Sequence, residues 1–304
     1  MDAELSAWES GGAYFNLAAT GHRVFFRDFG AANAEPDDTA LLMHGFPESS
    51  FSWHKVVEGL LGHFRRVVVF DLIGYGFSDK PGADAYGYSL MEQADVALQV
   101  WGQLGLRGGH LIAHDMGDSV STELVARLVA GLLPAWFDSG FRSVTFTNGS
   151  MVLELAKLRV TQRLLLTRIG PVLASLVVKK AFAQQVRSAQ GSDALSDRDI
   201  ELMWQINRLG DGHRKTYLTI RYLLDRRRFE ATRWLPALGA ASMPIHLCWG
   251  DADAVARVEM AHHLKRHVCP NAHLTVMPGV GHFCQLSDPQ QWLDSVLAFY
   301  SDAA

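Results

Sequence analysis

Four short stretches set reactive side chains among glycines and other small residues, where tight turns can hold them for chemistry. In AHDMGDSV (113–120), Asp115 stands at the end of an apolar run and just ahead of the helix-like DSVSTELVARLVAGL. Ala113 and Gly117, two positions to either side, are small enough to let a strained turn form around a nucleophile. The helix start then offers amide donors without partners and a positive dipole end, both favourable to an anion. Read alone, Asp115 could equally be a cap for that helix. HGFPESS (44–50) follows another apolar run and supplies a loop with free amides, so that the N–H groups of Phe46 and Met116 could form an oxyanion hole. The plainer alternative is a turn merely shaped by Gly45 and Pro47. GDAD (250–253) and GVGHF (279–283) complete the set with Asp253 and His282. His282 is one of 13 histidines, but the order nucleophile, acid, histidine is one that hydrolytic triads use. Asp253, four positions past Trp249, is expected to turn inward as its partner, with Asp251 a turn residue.

These groups need a frame that brings loop ends together, and the chain alternates short β-rich runs with helix-length segments. The expected strands are AYFNLAA, HRVFFRDF, ALLMH, RRVVVFD, GHLIAH, SVTFTN, PIHLCWG and HLTVMP, the first two forming a hairpin. Several are apolar throughout, as strands buried on both faces are. The expected fold class is therefore α/β, with a mostly parallel eight-stranded sheet flanked by helices. Residues 1–150 and 237–304 would form the core domain, and 151–236 a helical cap inserted after the sixth strand. In that insert LELAKLRVTQRLLLTRIG and RKTYLTIRYLLDRRRF show helical spacing. It holds 16 Lys and Arg against 8 Asp and Glu, which fits either solvated helix faces or a lid that attracts anionic substrates or lipid headgroups.

Composition narrows the function further. With 304 residues, 48% of them hydrophobic, the chain can bury a large core, and a net charge of −4 gives no reason to expect nucleic acid as a partner. Three cysteines without CxxC spacing argue against a disulfide framework or a zinc ribbon, and point to a reducing, cytoplasmic setting. MDAELSAWES lacks the basic flank and apolar segment of a signal peptide. The longest apolar stretch, 169–178, is interrupted by Gly170 and Pro171 and falls short of the roughly 20 residues of an integral membrane segment. GYGFSD (74–79) lacks the third glycine of a dinucleotide loop, and the adjacent His262 and His263 cannot share a helix face as metal ligands do. No cofactor and no metal are expected.

The series HGFPESS, DLIGYGFSDKP, AHDMGDSV, GDAD and GVGHF resembles the α/β-hydrolase superfamily, in the epoxide hydrolase and haloalkane dehalogenase branch that uses an aspartate nucleophile. NGSMVLE, YLLDRRRFEATRW and MPIHLCWGDAD further resemble the mesoderm-specific transcript group and its bacterial relatives. The resemblance implies that the GYGFSD loop braces the HGFP turn. It also implies a two-step reaction on a small, apolar electrophile: Asp115 forms an ester with a substrate carbon, and His282, oriented by Asp253, activates the water that hydrolyses it. Epoxide opening needs a proton donor, for which the family's lid tyrosines offer Tyr222 and Tyr217 as counterparts. On one continuous helix these two would lie about 140° apart and could not easily face one atom together. The resemblance to the mesoderm-specific transcript group, which also has a tyrosine there, favours Tyr222 as the donor. Halide release instead needs N–H donors, and this chain has Met116 and Phe46 where dehalogenases of the family present tryptophan and asparagine. Trp136, Trp204 and Trp234 are the remaining indole candidates. The expected activity is thus epoxide hydrolysis. The alternatives are a carbon–halogen hydrolase, a lactone-acting relative, and a non-catalytic binding protein whose cationic cap makes weak membrane contact.

Overall fold

The structure, a computed structural model, describes residues 1–156, 159–192 and 194–302. Its eight strands run in the order β1-β2-β4-β3-β5-β6-β7-β8. They are β1 (Ala13–Asn16), β2 (Arg23–Gly30), β3 (Thr39–Met43), β4 (Arg66–Phe70), β5 (Gly108–His114), β6 (Gly140–Thr147), β7 (Ile245–Gly250) and β8 (His273–Met277). The first two form the expected hairpin, β2 pairs antiparallel with β4, and every later pairing is parallel.

The apolar strands read as expected because both faces of the sheet are covered. Leu41 and Met43 of β3 and Val68 and Phe70 of β4 enter one core cluster, while Ala40, Leu42, Val67 and Val69 enter the other. Adjacent side chains point to opposite faces, so a run without polar interruptions is what two buried faces demand. The parallel strands share a direction, and the loops after β3, β5, β6, β7 and β8 therefore emerge at one edge. Ligands of open α/β sheets bind outside that carboxyl edge.

Between β6 and β7 the chain is helical, with Val160–Leu165, Gly170–Ser175, Lys179–Gln190, Asp197–Arg208, Tyr222–Phe229 and Leu235–Ala240 as its α-helices of six or more residues. Two expectations are corrected here. The periodic 153–170 stretch holds only the short Val160–Leu165 helix among its described residues, and it turns at Thr167 and Gly170 through bonds to the residue three before. The periodic 214–229 stretch is likewise broken. Arg221, Leu223 and Leu224 bond three residues back rather than four, which separates the Thr216–Thr219 helix from Tyr222–Phe229. Tyr217 and Tyr222 thus sit on different helices, and the 140° argument does not apply to them.

Candidate functional site

The turn after β5 bends the chain through a residue with positive φ. Asp115 has φ 50° and ψ −111°, a conformation that costs on the order of 1–3 kcal/mol and persists only where its surroundings hold it. Those surroundings need small neighbours: a Cβ on Gly117 would lie 2.4 Å from the Met43 carbonyl oxygen and 2.7 Å from that of His44. Asp115 occupies the N-cap position of the Met116–Val129 helix, yet its side chain makes no capping hydrogen bond. Its Oδ2 accepts instead from the Phe46 amide at 2.9 Å. The helix-cap reading of this residue is therefore set aside by the geometry. Of the two backbone amides expected to form an oxyanion hole, that of Phe46 bonds this carboxylate, and Met116 opens the helix directly after it.

His282 Nε2 faces that carboxylate, 3.8 Å from Asp115 Oδ1. On its other side Nδ1 lies 2.8 Å from Asp253 Oδ2. Asp253 in turn accepts from Asn148 Nδ2 at 2.7 Å and, on Oδ1, from the Val255 and Ala256 amides at 2.6 and 2.9 Å. All four partners can donate, so the carboxylate is held as a pure acceptor and His282 carries its proton on Nδ1. Asp251 takes no part, since its Oδ1 accepts the Gly279 amide at 2.7 Å across the turn between β8 and the His282 loop. Burial alone would lower the His282 pKa, but the charge and hydrogen bond of Asp253, with Asp115 and Glu48 nearby, more than offset this and push it up to about 9.

Beneath these three lies a pair that sequence reasoning passed over. Glu48 Oε2 is 3.2 Å from His114 Nε2, and both side chains are buried. His114 Nδ1 meets the Thr147 carbonyl oxygen at 3.0 Å, so Nδ1 bears the hydrogen and Nε2 presents its lone pair to Glu48. Burial pushes Glu48 up to about 8 and pulls His114 down to about 3, leaving a neutral acid facing a neutral imidazole at neutral pH. The only hint of this in the sequence was a glutamate directly after the HGFP turn.

The GYGFSD loop does brace that turn: the Asp71 carboxylate accepts from the Ser50 and Phe77 amides, each at 2.6 Å, and the Tyr75 ring packs on His44 and Phe46. Tyr75 Oη also donates to Met116 Sδ at 3.2 Å. The side chain after Asp115 is thereby engaged at the edge of the site and does not line it.

Above Asp115 and His282 opens a cavity of about 320 Å³. Its walls are chiefly apolar, with Leu165, Leu173, Val177, Phe182 and Val186 from the inserted helices. Tyr222 lines it and Tyr217 does not. The Tyr222 ring rests against Phe46 and beneath the Arg226 guanidinium, 4.7 Å from its centroid. Burial, with the charge of Asp115, raises the Tyr222 hydroxyl above its ordinary pKa. Arg226 was hidden from sequence reasoning inside the basic run DRRRF. It is buried, and its Nε donates to Ser119 Oγ at 2.8 Å. Among the described residues no tryptophan lines the cavity. Trp204 packs on Phe182 and His213, and Trp234 donates to Glu123 at 2.8 Å. Trp136 lies ahead of β6, outside the insert, against Phe137.

Comparison with known proteins gives the family and the fold. A family model described as alpha/beta hydrolase fold matches residues 40–289. LipZ of Mycobacterium tuberculosis, a hydrolase by name, is 36% identical over 97% of this chain and 97% of its own. The human mesoderm-specific transcript homolog protein is 31% identical over 98% of this chain and 88% of its own. Among solved structures, a loop variant of a haloalkane dehalogenase from Bradyrhizobium elkanii superposes with a TM-score of 0.74 at 21% identity, covering 96% of this chain and 97% of that one, a likeness of fold.

Proposed function

This chain belongs to the α/β-hydrolase fold family, and on that premise we propose that it is a cofactor-independent hydrolase that opens epoxides through an ester on Asp115. The observation that carries the reading is the contact series Phe46 amide, Asp115, His282, Asp253 at 2.9, 3.8 and 2.8 Å, set at the floor of an apolar cavity. Residues 1–150 and 237–304 would serve as the core and 151–236 as the cap that closes this cavity.

In the first step an Asp115 oxygen attacks an epoxide carbon, the C–O bond breaks, and the departing oxygen takes the proton of Tyr222. Tyr222 suits this role because it lines the cavity with Asp115 and lies close enough to feel that residue's charge. In the second step His282 Nε2 removes a proton from water, and the resulting hydroxide attacks the ester carbonyl. The tetrahedral oxyanion is then received by the amides of Phe46 and Met116. That oxyanion collapses by breaking the bond between the Asp115 carbonyl carbon and the alkyl oxygen, which takes up the acid proton, and the proton held by His282 restores Tyr222. The diol leaves with the substrate oxygen and the Asp115 oxygen of the first step, and the water oxygen stays in the Asp115 carboxylate.

The electrostatics suit this sequence of events. While Asp115 is a carboxylate it helps hold the proton on His282. Esterification removes that charge, so the His282 pKa falls and the ring becomes a base at the moment one is needed. Halide release is less well served, because no indole lines the cavity among the described residues, and Asn207 Nδ2 already donates to the Pro47 and Met203 carbonyls at 2.7 and 2.9 Å.

The test is a panel of aryl and alkyl epoxides run beside matching haloalkanes, with wild type and Asp115→Ala. Epoxide loss without halide release, abolished in Asp115→Ala, is the expected result. Faster halide release, or epoxide turnover that survives in Asp115→Ala, would overturn the reading.

A further inference from the structure

The surface around the cavity mouth is apolar and cationic in a way the hydrolytic chemistry does not require. Six large apolar side chains, Val160, Leu164, Ile169, Val172, Leu176 and Val178, are exposed within the short segment from 160 to 178, with Val172 at 61% and Leu176 at 68%. Apart from Val129, Leu132 and Trp136, the other exposed large apolar side chains among the described residues stand singly, which is ordinary for a protein surface, whereas a cluster of six marks an interaction site. Val172 and Leu176 lie one turn apart and so project on one side. Leu164 and Leu176 also line the cavity, so the patch and the cavity wall are continuous.

The charge along this segment itself is of one sign. From 155 to 192 the sequence contains no aspartate or glutamate and seven Lys and Arg. Arg163, Arg168 and Lys180 are exposed, and among the described residues none of them is held in an ion pair, whereas Lys179 pairs with Glu201. A second copy seated symmetrically on the same face would bring these cations against their own counterparts, which disfavours that occupant. A bilayer with anionic headgroups meets both features at once: headgroups take the cations and the acyl boundary takes the apolar side chains. Among the described residues no helix is long and apolar enough to cross a membrane, so contact would be at the surface.

We infer that the Val160–Leu165 and Gly170–Ser175 helices dock this protein on an anionic lipid surface, with the cavity mouth facing the bilayer. An apolar substrate dissolved in the lipid then passes along Leu176 and Leu164 into the cavity without crossing water. The delivery of substrate rests on the hydrolase reading above; the docking itself does not.

The experiment is co-sedimentation of the full chain with phosphatidylcholine vesicles, with and without a minor fraction of phosphatidylglycerol. Binding is expected on the anionic vesicles and is weakened by added salt. Arg163→Gln and Arg168→Gln should each weaken it about fivefold, as expected for one basic side chain near a charged surface. The double variant Ile169→Ser/Val172→Ser, whose positions do not line the cavity, should lose roughly tenfold or more while turning over a water-soluble epoxide as the wild type does. Absence of vesicle binding would overturn docking, as would binding indifferent to these variants or a dimer in sedimentation that buries the patch. Vesicle binding in a protein that turns over no epoxide would instead overturn the hydrolase reading and leave docking in place.

Discussion

Replacing Glu48 by glutamine should make the fold less sensitive to alkali while leaving its shape unchanged. Glu48 is buried between two partners: its Oε1 accepts from Gln285 Nε2 at 2.8 Å, and its Oε2 faces the lone pair of His114 Nε2 at 3.2 Å. Only a proton on Oε2 makes the second contact attractive, and an amide N–H can stand in for that O–H. The carboxyl has its pKa raised from 4.5 to about 8 by burial, so the native state keeps a proton that the unfolded chain has already released. Its stabilising contribution is therefore fully present below about pH 4.5 and is lost as pH rises toward 8. Within that window the wild type should lose up to about 1.4 kcal/mol per pH unit relative to Glu48→Gln, with no further divergence above it. Urea unfolding of both proteins in half-unit steps across this range measures the difference directly. Parallel stability curves would refute the reasoning, because they would mean that Glu48 binds its proton no more tightly in the native state than in the unfolded chain.

Other consequences can be checked on the same protein. Tyr222→Phe should slow epoxide opening by about 10²- to 10⁴-fold, the usual worth of a general acid, while leaving the decay of a preformed ester nearly unchanged in single-turnover kinetics. In a pH series, His282 of the free protein should titrate by NMR near 9, and the ester should decay with a midpoint at lower pH, since esterified Asp115 no longer supports the imidazolium. Equal midpoints would contradict that coupling. Gly117→Ala should displace the turn, as its methyl would sit 2.4 Å from a backbone oxygen; activity should fall by more than the helix loses in stability, checked by turnover beside thermal unfolding.

The parts of this molecule that could be read from the sequence are those that local patterns encode. Buried strands announce themselves as apolar runs, and Asp115, Asp253 and His282 each follow such a run, so topology alone carries them to one edge of the sheet. Preference for Asp253 over Asp251 rested on loop length, and the hydrogen bonds separate the two in the same way, one to His282 and the other to Gly279. What could not be read depends on contacts distant in sequence. The Glu48–His114 pair joins the loop after β3 to the end of β5, Asn148 reaches Asp253 from the end of β6, and Met116 turns to Tyr75. In the inserted segment, helical spacing overstated helix length. Apolar residues there face the cavity and the surface as well as the core, so periodicity no longer marks a single buried side.

The account stands or falls on a covalent bond to one side chain. His282→Gln, mixed with a slowly hydrolysed epoxide in ¹⁸O-water and digested, should yield a peptide containing Asp115 heavier by the mass of the substrate, with no ¹⁸O in the carboxylate until the ester is cleaved. An unmodified Asp115 peptide, in a variant shown to bind and consume the epoxide, would contradict the central claim.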